Sequence, residues 1–220
     1  MKVFQRIKRT NWFKTIVFNF HYFPFTQAIK LPVLVDYQTS FVNLKGEIVF
    51  DCPLKRGILR LGYLGTGTQD TKYERTKWDV TGTIVLHGEA RIGRGTNICV
   101  GGELILGRGF TITGASTIIC QHKIQFYDDV LISWDCLLMD TDFHRVLNEE
   151  GDVINKDNLV MIGSHVWIGC RSIVLKGAAI PNNCVIAAGS TITRQLHFEN
   201  CIYGGKDGGN LLKKSITWMK

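Results

Sequence analysis

The chain has 220 residues, enough for one substantial domain with its own core. Hydrophobic residues make up 45%, glycine is plentiful at 23 and proline scarce at 4, which excludes a low-complexity or disordered tract. The formal net charge of +7 suits an anionic partner such as nucleic acid, an anionic lipid surface or a phosphorylated cofactor. The cysteines are Cys52, Cys99, Cys120, Cys136, Cys170, Cys184 and Cys201, an odd set with no C-x-x-C pair. They read as reduced structural thiols of a cytoplasmic protein, without the spacing of a zinc site.

Residues 1–40 differ in character from the rest of the chain. They begin basic, with Lys2, Arg6, Lys8 and Arg9, and turn aromatic from Trp12 to Phe25. No stretch approaches the roughly eighteen unbroken apolar residues of a membrane-crossing helix. Lys14 and His21 interrupt the apolar run and it leads to no small-residue cleavage site, so no signal peptide is expected. Trp12, Phe13, Ile16, Val17 and Phe20 have helical spacing, and Pro24 is predicted to end that helix. The favoured reading is an element packed over one end of the domain. The alternative is an interfacial anchor with aromatics in lipid and basic residues at the headgroups, a weak membrane-surface contact through residues 1–25. In residues 41–83, Gly57 to Gly62 reads as strand and turn, and Gly65 to Lys77 as an excursion loop, within irregular first coils.

From about Leu86 a six-residue period takes over. One series is Leu86, Ile92, Ile98 and Leu104. After a slip of two residues a second runs Leu106, Ile112, Ile118, Ile124, Val130 and Cys136. A third is Ile162, Ile168, Val174, Ile180, Ile186 and Ile192. With Ile, Leu and Val at roughly a quarter of the chain, six such hits by chance have odds of about two in ten thousand, so the pattern is structural. Six is an even period, so every marked residue of an extended chain faces the same side. Glycine often comes directly after the mark, at Gly93, Gly107, Gly163 and Gly169. Short residues recur four positions after it, at Thr96, Ser116, Val166, Ser172, Ala178, Cys184 and Ser190. This predicts short strands with a corner every six residues, three sides to a coil of about eighteen, stacked as a parallel β-helix. The polar residues 142–160 break the period and must leave it as a loop. The expected organisation is a capping extension over 1–40, the β-helix over 41–205, and a tail over 206–220.

Two segments carry a family resemblance: Ile162-Gly163-Ser164-His165-Val166-Trp167-Ile168-Gly169 and Ile186-Ala187-Ala188-Gly189-Ser190-Thr191-Ile192-Thr193-Arg194. They resemble the hexapeptide-repeat acyltransferases, the left-handed β-helix family that includes galactoside, maltose, serine and xenobiotic acetyltransferases. The resemblance covers residues 84–205 and is strongest over 158–194, closest to the branch that decorates surface polysaccharide sugars. It implies an all-β, left-handed parallel β-helix, a homotrimer with sites between subunits, and acetyl-CoA as co-substrate with no metal.

The same resemblance singles out residues. His144, in the loop and 23 residues before Trp167, lies where the family has its catalytic histidine. A neutral imidazole there can take the proton of an attacking hydroxyl or amine, with Asp142 or Asp140 orienting the ring. Trp167 is implied to line the acyl pocket. The backbone N–H at Cys170 is a candidate donor to the pantetheine or the developing oxyanion. Cys170, Ala188, Thr193 and Arg194 match the CoA contacts, and Arg194 can pair with a phosphate. Lys206, Lys213 and Lys214 add charge. The family's closing turn is replaced here by Gly204-Gly205-Lys206-Asp207-Gly208. His122 is a further candidate for the same groove, while His165 occupies a corner position expected to be exposed.

The leading expectation is therefore an acetyl-CoA-dependent O- or N-acetyltransferase acting on a sugar in capsule, lipopolysaccharide or exopolysaccharide synthesis. It would be cytoplasmic or peripheral at the inner membrane face. One alternative is a zinc hydratase resembling the γ-class carbonic anhydrases, for which His87, His122 and His144 are the nearest ligands. The other is a non-catalytic scaffold. Nucleic-acid binding is not expected, because the basic residues do not alternate with exposed aromatics.

Overall fold

An even-period chain with one inward aliphatic residue per side must wind so that those residues share one interior. In the computed structural model, which describes residues 9–67, 70 and 72–219, they do. The strands stack in three faces. The first face is β1 (Val33–Val35), β4 (Leu59–Leu61), β7 (Ala90–Ile92), β10 (Phe110–Ile112), β13 (Leu131–Ile132), β16 (Trp167–Ile168), β19 (Val185–Ile186) and β21 (Ile202–Gly204). The second is β2 (Thr39–Asn43), β5 (Thr76–Val80), β8 (Asn97–Val100), β11 (Thr117–Cys120), β14 (Leu137–Met139), β17 (Ile173–Val174) and β20 (Thr191–Ile192). The third is β3 (Glu47–Phe50), β6 (Thr83–Leu86), β9 (Glu103–Leu106), β12 (Lys123–Phe126), β15 (Val160–Ile162) and β18 (Ala179–Ile180). Every pairing within these faces is parallel.

All residues of the three series are buried, from Leu86 at 0% exposed to Cys136 at 3%, and they form one continuous core. The slip of two has a simple cause. Strand β9 is four residues long and points both Leu104 and Leu106 inward, so the series passes from one inward position to the other on a single strand. The coil length differs accordingly from the expectation. Thr83 pairs with Glu103 and Glu103 with Lys123, so these coils hold 20 residues rather than eighteen. The shorter coil appears after the loop, where Met161 pairs with Ala179 across 18 residues. Two-residue strands there leave room for one inward side chain per side.

The glycines after the marks are explained by crowding between coils. Gly93 does not have left-handed backbone. A Cβ built on it would lie 2.1 Å from the Thr113 carbonyl oxygen and 2.4 Å from its carbon. Those atoms belong to the next coil, whose ladder hydrogen bonds hold them in place. Gly93→Ala is therefore expected to destabilise by about 1–3 kcal/mol in urea unfolding. Gly67→Ala, in the excursion where nothing lies within 4 Å, should stay within about 0.5 kcal/mol of the parent.

The first coil begins earlier than expected. β1 lies inside the segment read as an extension, and β3 to β5 already pair as parallel rungs, with one register shift between β2 and β5 at Phe41/Asn43. β5 also claims Thr76 and Lys77, which shortens the excursion. Helix α1 (Trp12–Tyr22) is followed by Pro24 and the short α2 (Phe25–Ala28). Asn11 caps α1, its side chain accepting from the Lys14 N–H at 3.0 Å. The helix closes the open edge of β1 with polar side chains. Thr15 accepts from the Val35 N–H at 3.1 Å. Asn19 accepts from the Val33 N–H at 3.0 Å and donates to the Val33 carbonyl at 2.7 Å. These bonds satisfy backbone groups that an edge strand leaves unpaired. At the other end, the segment read as a tail forms β22 (Asn210–Lys213), antiparallel to β21.

Candidate active site

Three corners separate the faces, and the candidate residues divide between them. The corner between the second and third faces holds the loop, because the chain leaves β14 there and returns at β15. His144 is exposed on it. Its backbone N–H donates to the Asp142 carbonyl at 2.7 Å, and among the described residues its imidazole has no hydrogen-bond partner.

Neither aspartate orients that ring. Asp142 accepts from the Lys176 ammonium and, at 2.8 Å, from the Asn155 amide. Lys176 first and Asn155 second hold its carboxyl below the ordinary range. Asp140 is fully buried and accepts from the backbone N–H groups of Gln121 at 2.8 Å and His122 at 3.0 Å. It ties the loop's root to the coil before it. Asn155 also donates to the His144 carbonyl at 2.8 Å and accepts from the Val146 N–H at 2.6 Å, and Lys176 donates to the Asn155 carbonyl at 2.7 Å. Asn155 and Lys176 are thus the staples of the loop. Neither carries a signal in the sequence: one is a polar residue among many, the other a cation at a corner. His122 sits at this same corner, one coil before the loop. Thr193 and Arg194 lie at it two coils after, both exposed. A cleft over the loop is lined by Thr141, Phe143, His144, Arg145, Asn155 and Lys156, among others.

Trp167 is elsewhere. It lies on the first face, in register with Leu131 and Val185 and 38% exposed, and its indole N–H donates to the Ser133 hydroxyl at 3.0 Å. Cys170 and Ala188 stack at the corner between the first and second faces. There the backbone of Gly169 approaches so closely that a Cβ would be 2.7 Å from the Ala188 nitrogen. A Cβ on Gly189, beside Ala188, would meet nothing within 4 Å, so this corner has a tight backbone inside and open space outside. The N–H groups of Cys170 and Ala188 donate to no acceptor among the described residues. The expectation that one chain's loop brings His144 beside Trp167 is not met: the second face, roughly six residues or about 20 Å wide, separates their corners. The four residues matched to CoA contacts likewise divide two and two.

Other expectations are corrected too. His165 is half-buried, because Trp218 stacks on its ring at 4.2 Å and 12° and donates to its carbonyl at 2.9 Å. This places Trp218 6.0 Å from Trp167, an aromatic neighbour that the sequence did not announce. The turn Gly204 to Gly208 belongs to the β21–β22 hairpin, whose Gly209 carbonyl accepts from Arg194 at 3.4 Å. His87 sits at the corner between the third and first faces with Asp51 at 3.0 Å, so the three histidines named for a zinc site do not share a corner within one chain. The excursion before β5 leaves at the corner between the first and second faces, away from the loop of His144.

Comparison with known proteins agrees with this architecture. Residues 160–194 match the family described as bacterial transferase hexapeptide (six repeats). The chain is 31% identical over 98 residues to the galactoside O-acetyltransferase of Escherichia coli K12, covering 44% of this chain and 47% of that protein. It is 35% identical over 65 residues to the polysialic acid O-acetyltransferase of Neisseria meningitidis, covering 29% and 30%. It thus spans less than half the length of these curated relatives. The solved structure of the polySia-specific acetyltransferase NeuO superposes with a TM-score of 0.57 at 18% identity, over 86% of this chain and 79% of that one. By fold the chain is an all-β, left-handed parallel β-helix, matching the hexapeptide-repeat model over residues 160–194 and similar over part of its length to sugar O-acetyltransferases.

Proposed function

We propose that the chain is an acetyl-CoA-dependent O- or N-acetyltransferase acting on a sugar of a surface polysaccharide or its precursor. The observation that carries this reading is the exposed imidazole of His144, unpartnered among the described residues, on a loop clamped by Asn155 and Lys176, at the corner that also holds Thr193 and Arg194. Acetyl-CoA supplies an acetyl group already activated as a thioester. The acceptor hydroxyl or amine attacks the thioester carbonyl while His144 removes its proton. The imidazolium then returns that proton to the departing CoA sulfur. Small residues at 187–189 let the pantetheine arm lie against backbone, with the free N–H groups at Cys170 and Ala188 as donors to it. Trp167 bounds the acyl group, and Arg194 faces the phosphates. No metal is required.

The division of these residues between corners favours a homotrimer. The loop corner of one subunit would meet the Trp167–Cys170–Ala188 side of the next, a heterologous contact that closes into a ring. Reduced thiols fit a cytoplasmic enzyme.

The test is release of CoA thiol from acetyl-CoA across a panel of free, nucleotide-linked and polymeric sugars. Turnover on none of them would remove the reading. Binding is checked separately by alkylation near pH 8. Burial pushes up the thiols of Cys52, Cys99, Cys120, Cys136 and Cys184, Cys136 to about 11. Cys170, half-buried at the open corner, is the thiol to follow, and saturating CoA should protect it at least tenfold by occupying that corner.

A further inference from the structure

Helix α1 is built inside out. Its buried face carries the polar Thr15 and Asn19 beside Phe18, because those two bond the edge of β1. Its outer face carries Phe13 at 78% exposed, Ile16 at 48%, Val17 at 41% and Phe20 at 46%. The patch continues onto Phe25 at 69%, which meets Phe20 edge-on at 6.0 Å, and Ile29 at 54%. A helix that served only to cap the coil would gain nothing from this outer face. Adjacent exposed apolar side chains of this kind mark a contact surface.

The charge around the patch identifies the occupant. Of the described residues, Arg9, Lys14 and Lys30 precede the first acidic residue, Asp36, and the Arg56 guanidinium lies over the Trp12 ring at 5.2 Å. Asp36 is itself buried against Arg94, so it offers the surface no compensating charge. A second copy of the chain would bring like charge against like, which disfavours self-association through this face. An anionic surface with an apolar interior complements it in both respects. No helix of the described residues is long and apolar enough to cross a membrane, so the contact is a surface one.

We infer that α1 and α2 form an interfacial docking surface for an anionic lipid bilayer, with Phe13, Ile16, Val17, Phe20, Phe25 and Ile29 entering the headgroup boundary. The helix caps the first coil, and the loop's root lies four rungs along the second face, or about 19 Å at the usual strand spacing. Docking at that end leaves the corner of His144 clear of the headgroups.

The test is co-sedimentation of the full chain with vesicles of phosphatidylcholine alone or mixed with phosphatidylglycerol. The parent chain should pellet with the mixed vesicles and be released by about 0.5 M salt. Phe13→Asp combined with Phe20→Asp should weaken that binding at least tenfold. Its thermal melt should not change, because both side chains are exposed. Lys30→Glu, a milder change at an exposed site, should weaken it about fivefold. The inference is overturned if the parent chain stays in solution with phosphatidylglycerol vesicles, or if both variants bind as the parent does. It is equally overturned if the phenylalanine variant instead lowers the mass of the lipid-free assembly, which would make this face a contact between copies.

Discussion

His144→Ala should lower acetyl transfer by about 10²–10⁴-fold, the usual contribution of a positioned general base. The loss should fall on kcat, with CoA protection of Cys170 unchanged, because His144 acts on the acceptor's proton and does not hold CoA. The loop should survive the change. Its staples are the Asn155 amide, which bonds the His144 carbonyl rather than the ring, and Lys176. Undiminished turnover would take His144 out of the reaction. A sharper form of the experiment mixes subunits. Ala188→Trp should block the corner of Cys170, and with a subunit boundary running through the site it should be as inactive as His144→Ala. In trimers of the two variants mixed at random, about a quarter of the sites would combine an intact loop with an intact corner from the neighbour. Activity should return to about that fraction of the parent's. No recovery would mean that the two corners serve separate purposes.

Trp78→Ala should cost about 3–5 kcal/mol, the range for removing a large buried aromatic. Trp78 is fully buried on β5, packs edge-on against Phe18 at 5.4 Å, and its indole N–H donates to the Tyr22 hydroxyl at 3.1 Å. It thus joins helix α1 to the second coil. In a stacked-coil protein each rung contacts only its neighbours, so the damage should be local. Amide exchange should show protection lost in α1, β1, β2 and β5 while β17 to β20 keep theirs. A uniform loss along the whole solenoid would contradict this.

The fate of Trp78 illustrates what was legible. It lies between the excursion and Leu86, where the six-residue period takes over, so no series marks it, yet it is among the largest buried side chains of the described residues. The early coils hide for a related reason. A 20-residue coil with two inward residues per strand spoils a count by six, whereas the 18-residue coils after the loop keep it. The glycines after the marks were visible as a pattern, but only the stacked coils supply its cause, a carbonyl of the next rung where a Cβ would be. Helix α1 was legible in its spacing and its stop at Pro24. Its polarity was not, because the bonds of Thr15 and Asn19 to β1 are long-range.

The site divides along the same line. His144, Trp167 and the small-residue corner could be named from order in the chain, since loop, resumption and repeat succeed one another there. Asn155 and Lys176 could not, because they act through contacts across the loop mouth. Residue order alone commits the chain to the repeat, the break at 142–160 and the inward column, since an even period sends every sixth side chain to one side. Which corner each candidate occupies is settled by the winding in three dimensions. There a few residues along the chain become a change of face, and that separates His144 from Trp167 by the width of a sheet.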